Sequence, residues 1–296
     1  MTKIKYIHCF GTSYTAGGGF EFNSVNQARN ELLEDLYSTV DEKKTQFNFS
    51  WPGQLESFIN NKNITIINHG KQGYGNDRFV RLSYEIINKK DFNPNENLFI
   101  IEFAGLGRDE FFFKEIQDYI VCNYQMFGTT NNKPNFKFVG AANSYGYDDY
   151  SVQKIIDNYD NFFNNYVDKF VDFEVNQSKL KIQADLFLSY LEKKKINFLF
   201  SITPILDYQY DVSKEIEFGD GKYFKKSNNF VKFIDDNNLV ITNETSGLIQ
   251  DGHGGFKANK IIGHIIYNKL VETNYIHSDI KPINWKDYYY TNFISK

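Results

Sequence analysis

The sequence predicts a doubly wound α/β fold, a three-layer α/β/α sandwich with a mainly parallel central sheet. Short, nearly continuous runs of β-branched and aromatic residues recur along the chain, which is typical of strands covered on both faces. Segments with helical spacing separate them, in the order β, α, β, α, β, α, β, β, α of such sandwiches. The predicted strands are Ile4–His8, Ile64–Asn68, Leu98–Phe103, Ile196–Ile202 and Leu239–Ile241.

The helices between these strands are predicted from apolar residues that share one helical face. The last is the clearest, because Ile261, Ile265 and Leu270 fall on one side of a helix that would pack on the sheet. The predicted helices are Gln54–Asn60, Arg78–Asn88, a long stretch within Ser151–Lys194, and Phe256–Leu270.

The 296 residues are predicted to form one domain with an insertion at 111–150 and a tail at 273–296. Within the insertion, the alternating stretches Tyr119–Met126 and Asn135–Val139 flank the turn-rich Gly128–Pro134, which predicts a β-hairpin that would serve as a lid. The tail lacks strong periodicity, so we expect it to pack across the domain.

The composition excludes several classes of protein. With 41% hydrophobic and 24% charged residues, the chain is neither disordered nor fibrous. No apolar run approaches the roughly 20 residues of a membrane span, and no secretion signal is visible. A net charge of −4 provides no field for nucleic acid. Cys9 and Cys122 suit a reducing compartment, so we expect a cytoplasmic protein that binds neither membranes nor nucleic acid.

Two Gly-rich segments follow the first two strands, where open α/β sheets bind their ligands. The first contains Gly11-Thr12-Ser13 and is not a phosphate loop, because no Gly-Lys-Ser/Thr follows. The second runs from Asn68 to Asp77, and its glycines would let backbone amides approach a developing negative charge. Taken alone, the first segment is better explained as a flexible turn, and the second is equally well explained as a turn.

A third segment, Asp251-Gly252-His253, precedes the last predicted helix and is expected to be a loop. A carboxylate two residues from an imidazole can fix one ring tautomer and leave the other nitrogen free as a base. This arrangement favours a general base at His253 over a purely structural histidine.

Together these segments resemble the sequence blocks of the SGNH/GDSL hydrolase family, whose members are esterases, lipases and carbohydrate deacetylases on a flavodoxin-like fold. Gly11-Thr12-Ser13 is similar to the Gly-Asp-Ser block of the family, with Thr12 in place of the acid. The resemblance implies that Ser13 is the nucleophile and that its amide contributes to the oxyanion hole.

The resemblance extends to the second and last blocks. Asn68-x-Gly70-x-x-Gly73 is similar to the second block, which implies that Gly73 donates an oxyanion-hole amide. Asp251-Gly252-His253 resembles the last block, which implies that His253 is the base and Asp251 orients it, completing a catalytic triad.

The third block departs from the family pattern. The family usually has Gly-x-Asn-Asp after the third strand, with the Asn as an oxyanion donor, whereas this chain reads Gly105-Leu106-Gly107-Arg108-Asp109. Gly107 stands at the Asn position, so the donor would come from Gly107 or from Arg108. Arg108 is also a candidate for binding a negatively charged group of the substrate, and the alternative is a surface salt bridge with Asp109 or Glu110.

The resemblance implies a metal-independent serine esterase or deacylase without a cofactor, acting on a small acyl ester such as an O-acetylated carbohydrate. Two alternatives stay open: an acyltransferase with the same triad, and a catalytically silent module that binds a glycan or a partner. The histidines show no spacing with Cys or acids that is typical of ligand sets, so we expect no metal site; they are His8, His69, His264 and His277.

Overall fold

The structure, a computed structural model, describes residues 4–17, 47–71, 74–104, 108–114, 118–123, 162–202, 216, 233–234, 237, 239–242, 249–277 and 282–289. The strands are β1 (Tyr6–Phe10), β2 (Thr65–Asn68), β3 (Asn97–Phe103), β4 (Arg108–Phe113), β5 (Asp118–Asn123), β6 (Asn197–Ile202), β7 (Val240–Thr242) and β8 (Ile249–Gly254). The helices are α1 (Ser13–Ala16), α2 (Trp51–Ile59), α3 (Asn76–Ile87), α4 (Phe173–Lys193), α5 (Phe256–Glu272) and α6 (Trp285–Tyr289).

The central sheet contains four strands in the order β2-β1-β3-β6. Every neighbouring pair is parallel, which confirms the predicted fold class. Because β1 lies between β2 and β3, the chain changes its direction of winding at β1. In open α/β sheets the ligand crevice lies outside the carboxyl ends of the strands at such a point.

The two faces of the sheet have separate apolar cores, which gives the three layers. Leu98 and Ile100 of β3 pack with α2 and α5 on one face. Phe99 and Ile101 of the same strand pack with α3 and α4 on the other face. Both faces of β3 are therefore buried, which explains why its sequence is continuously apolar rather than alternating.

Helices α2 and α5 approach each other closely beside the sheet. A side chain on Gly263 would place its Cβ 3.0 Å from Cβ of Gln54 and 3.1 Å from the amide nitrogen of Leu55. The amide of Trp51 also donates a hydrogen bond of 2.9 Å to Oδ1 of Asn259, which joins the start of α2 to α5.

An antiparallel hairpin occurs in this region, but it pairs β4 with β5 and not Tyr119–Met126 with Asn135–Val139. Strand β5 overlaps the predicted Tyr119–Met126. The predicted turn Gly128–Pro134 and the strand Asn135–Val139 lie outside the described residues.

Two predictions for the end of the chain were wrong. Leu239–Ile241 was expected in the central sheet, but β7 instead forms a separate antiparallel ribbon with β8. The short connection from β7 to β8 favours this pairing, since parallel neighbours need a long crossover. Asp251-Gly252-His253 was expected in a loop but lies within β8.

Helix α6 packs on α5 through aromatic rings. The ring of Tyr288 stacks on His264 with centroids 4.0 Å apart, and Phe58 of α2 meets both rings edge-on. Within the described ranges, the buried Nδ1 of His264 has no hydrogen-bond partner. None of the helices described here has the length and apolarity that a membrane span requires.

The buried His264 predicts a loss of stability in mild acid. Burial lowers its pKa to about 4, whereas a histidine in the unfolded chain titrates near pH ~6.5. Between these values only the unfolded chain takes up the proton, so stability falls as the pH drops from ~6.5 toward ~4. His264→Phe keeps a stacked ring without this proton, so its melting temperature should depend less on pH in this window.

Thermal denaturation at closely spaced pH values from ~4 to ~7 would measure the difference. His277→Gln is the matched control, because it also removes a histidine but at an exposed position. Parallel pH profiles for wild type and His264→Phe would contradict the assignment.

Candidate active site

Ser13 lies at the carboxyl end of β1, as the first residue of α1. The preceding Thr12 has extended backbone angles (φ −92, ψ −152), so the chain turns sharply from strand to helix at this point. Ser13 is buried. The predicted nucleophile therefore lies at the point where the sheet topology places a ligand crevice.

A buried carboxylate holds this turn in place. Glu102 of β3 is fully buried, and its Oε1 accepts a hydrogen bond of 2.8 Å from the Thr12 hydroxyl. Its Oε2 accepts from the Thr15 hydroxyl and from the amides of Thr12 and Thr15, at 3.3 and 3.2 Å for the amides. These donors include amides of the first turn of α1, which a helix cannot pair internally.

The environment acts on Glu102 in two opposing ways. Burial raises the pKa of its carboxyl group, and the hydrogen bonds from Thr15 and Thr12 act in the lowering direction. Gly11 provides the room for this arrangement, because a Cβ there would lie 2.2 Å from Oγ1 of Thr15 and 2.5 Å from Oε2 of Glu102.

The end of β2 is tied to the same turn. Asn68 donates from Nδ2 to the carbonyl of Thr15 at 2.8 Å, and its Oδ1 accepts from the amide of Gly70 at 2.8 Å. A Cβ on Gly70 would lie 2.5 Å from the amide nitrogen of Ala16. The first two predicted blocks are therefore in direct contact, while Gly73 lies outside the described residues.

A histidine pair lies beside this contact. Nδ1 of His8 is 2.9 Å from Nε2 of His69, and Nε2 of His8 is 2.9 Å from Oδ1 of Asn97. Since the Asn97 oxygen only accepts, His8 donates to it from Nε2 and accepts at Nδ1 from His69. Burial lowers the pKa of both rings, that of His69 to about 3, so both stay neutral at physiological pH.

The end of β3 is anchored to α3. Asn76 accepts at Oδ1 from the amide of Ala104 at 2.7 Å and donates from Nδ2 to the Ala104 carbonyl at 3.3 Å. These two hydrogen bonds hold the end of β3 at Ala104, immediately before Gly105, where the third sequence block begins. Gly107 itself lies outside the described residues.

Arg108 does not form the surface salt bridge that was one interpretation of the sequence. Asp109 pairs with Lys179 at 2.8 Å, and Glu110 pairs with Arg81 at 3.2 Å. The guanidinium of Arg108 instead donates from Nη1 to the carbonyl of Tyr74 at 3.1 Å. Arg108 therefore contacts the segment that follows β2.

Asp251 and His253 are described as backbone only, within β8. Strand β8 lies next to α1, so the segment that carries these residues is near Ser13. The hydrogen bonds of the proposed triad stay a prediction.

No group of three His, Cys, Asp or Glu residues suited to a metal ion occurs in the part of the chain that the structure describes.

The sequence did not predict the structural roles of three residues: Glu102, Asn68 in its contact with α1, and Asn76. A signal for Glu102 was present, because it is the acid in the otherwise apolar run Leu98–Phe103. A buried charge requires hydrogen-bond donors around it, so such a residue marks a polar site at the end of its strand.

The comparisons with known proteins are sparse. No model of a known protein family matches the sequence, and no curated protein sequence matches it. A solved structure named "putative lipolytic protein of G-D-S-L family", from Desulfitobacterium hafniense, is similar over 90% of this chain and 99% of that chain. It is 11% identical with a TM-score of 0.31, a likeness too low to carry an argument about function.

Replacing the buried carboxylate tests its structural role. In Glu102→Gln one acceptor oxygen becomes an NH2 donor, which faces the Thr12 or Thr15 donors. Leaving buried donors unpaired should lower the free energy of unfolding by about 1–3 kcal/mol, measured by urea denaturation. Glu85→Gln, at an exposed pair with Arg81, is the matched control and should change it by about 0–1 kcal/mol. Equal stability of Glu102→Gln and wild type would show that the carboxylate is dispensable.

Proposed function

We propose that this chain is a metal-independent serine esterase or deacylase that acts on a small acyl ester, for instance an O-acetylated carbohydrate. One observation carries the proposal. Of the hydroxyls at Thr12, Ser13 and Thr15, the two threonine hydroxyls bind Glu102, whereas no described residue hydrogen-bonds that of Ser13. This difference supports Ser13 as the residue that carries the chemistry.

The amide of Ser13 supports the same interpretation. The amides of Thr12 and Thr15 are paired with Glu102, and that of Ala16 donates to the Thr12 carbonyl at 2.9 Å. Among the described residues, none accepts from the Ser13 amide. An amide held rigidly without an acceptor is what an oxyanion hole requires, because its donors must be in position before charge develops.

The proposed reaction has two stages. Ser13 Oγ attacks the ester carbonyl while His253 takes the serine proton, and the imidazolium then returns a proton to the departing alcohol. Water, deprotonated by the same imidazole, hydrolyses the acyl-enzyme and releases the acid. Asp251 orients His253 and stabilises its charged form.

The oxyanion hole is proposed to contain the amides of Ser13 and Gly73. A third donor would be the amide of Gly107 or the guanidinium of Arg108. The Gly in place of the family's Asn is the observation that favours a silent binding module, since loss of one donor can lower kcat by about 10²–10³.

Covalent labelling separates these possibilities. A fluorophosphonate probe should attach to Ser13, located by mass spectrometry of peptides, because only an activated serine reacts quickly. Labelling should be lost in Ser13→Ala and kept in Ser57→Ala, which removes an exposed hydroxyl of α2. A protein that stays unlabelled while fully folded would be a binding module. Release of an acyl group to added sugar in preference to water would identify a transferase.

The triad predicts non-additive losses of activity. Ser13→Ala, His253→Ala and the double variant should lower kcat for a model acetate ester by similar factors, because each removes the same catalytic unit. Chelators should leave the rate unchanged. If the two single losses of activity multiply in the double variant, the serine mechanism is contradicted. It is also contradicted if a chelator inhibits the enzyme fully and added metal restores activity.

A further inference from the structure

Three cationic side chains converge on one residue beside the candidate active site. Lys71 places Nζ 4.5 Å from the ring centroid of Tyr74, and Arg78 places Cζ 5.3 Å from it. Arg108 donates to the carbonyl of the same residue at 3.1 Å. We call Lys71, Arg78 and Arg108 the basic cluster. Because like charges repel, their gathering around a buried tyrosine favours the binding of an anion there.

The basic cluster lies against the turn that carries Ser13. The amide of Lys71 donates to the carbonyl of Gly11 at 3.3 Å, and Gly70 is packed on Thr15 and Ala16. Arg78 donates from Nη1 to the carbonyl of His69 at 2.5 Å. The cluster is thus built into the carboxyl ends of β1 and β2, on the edge of the proposed ester site.

The acids nearest in sequence to the basic cluster form their direct contacts with other partners, and Glu110 and the buried Glu102 attract Arg78 and Arg108 only at longer range. Asp109 pairs with Lys179, and Glu110 pairs with Arg81. Asp77 accepts from Nε2 of Gln183 at 2.6 Å and from the amide of Glu110 at 3.3 Å. None of the ion pairs among the described residues includes Lys71 or Arg108.

These charges stand out against an acidic chain. The net charge is −4, so a cluster of cations at one place is not a consequence of general basicity. A positive patch on a negative protein attracts an anion to that patch while the remaining surface repels it. Guanidinium and ammonium groups are the side chains that bind carboxylate and phosphate.

We propose that the basic cluster binds an anionic group, a carboxylate or a phosphate, of the substrate, so that the ester hydrolysed is an ester of an acidic molecule such as a charged sugar. This assignment of substrate class rests on the proposed esterase function. Within it, Arg108 is a substrate anchor rather than an oxyanion donor, and it acts equally in the ground state and the transition state.

Matched esters test the assignment. O-acetylated glucuronate, glucose 6-phosphate and glucose differ in their charge, and the first two distinguish a carboxylate from a phosphate ligand. A charged ester should have a KM at least about tenfold below that of acetylated glucose, since a hydrogen bond to a charged group contributes on this order. Equal KM values for all three would overturn the proposal.

Single substitutions test which residues are responsible for the lower KM of the charged ester. Lys71→Gln should raise KM for the preferred charged ester about tenfold, with kcat unchanged and the neutral ester unaffected. Arg108→Gln should also raise KM for the charged ester about tenfold. Lys90→Gln, which removes an exposed charge after α3, is the matched control and should change neither value. A fall in kcat for Arg108→Gln at unchanged KM would instead make Arg108 an oxyanion donor and remove it from the anchor.

A binding measurement keeps this inference separate from the esterase proposal. In the Ser13→Ala protein, titration calorimetry with glucuronate, glucose 6-phosphate and glucose should detect binding of only the charged sugars. Their binding affinity should fall when Lys71→Gln is added and when the salt concentration is raised. If charged sugars bind in this way but no ester is hydrolysed, the esterase proposal fails and the anion site stands. If esters are hydrolysed without charge preference and no charged sugar binds, the anion site fails.

Discussion

The carboxylate of Glu102 is the interaction on which the candidate site depends. Taking a carboxylate out of water is strongly unfavourable unless hydrogen bonds replace the lost hydration. Here two hydroxyls and two amides supply them, all from the turn that joins β1 to α1. The strand that contributes the acid is the neighbour of β1 in the sheet. One side chain therefore couples the central sheet to the backbone around Ser13.

The remaining anchors of the site follow the same principle of polar side chains that bind backbone groups. Asn68 joins the end of β2 to α1, and Asn76 joins the end of β3 to the start of α3. Three adjacent strand ends are thereby linked to α1 or α3. The glycines at these ends are needed for space, as Gly11 and Gly70 show, because neighbouring atoms occupy the positions of their missing side chains.

Much of the fold could be predicted from the sequence, because strands buried on both faces must be continuously apolar. The same property misled the prediction for Leu239–Ile241, since an apolar run does not specify the direction or the partner of its strand. The glycine-containing Asp251-Gly252-His253 predicts a loop for a similar reason, because its place in β8 depends on pairing with β7. At the site, the positions of Gly11, Ser13 and Gly70 after their strands were predictable from local pattern, whereas their roles stay a prediction. The acid in an apolar strand is a signal for Glu102, but its partners Thr12 and Thr15 could not be predicted, since they are distant in sequence.

The hydrogen bonds from the turn that joins β1 to α1 to Glu102 should slow the exchange of its amide hydrogens with solvent. Amides that donate to a buried carboxylate exchange with solvent only when the surrounding structure opens. The amides of Thr12 and Thr15 should therefore exchange as slowly as those of β1, which is unusual for a turn that follows a strand. A turn that is ordered before any ligand arrives contributes no ordering entropy to binding. Discrimination between ligands at this edge of the sheet would then arise from the fixed positions of its polar groups, and not from adaptation of the backbone.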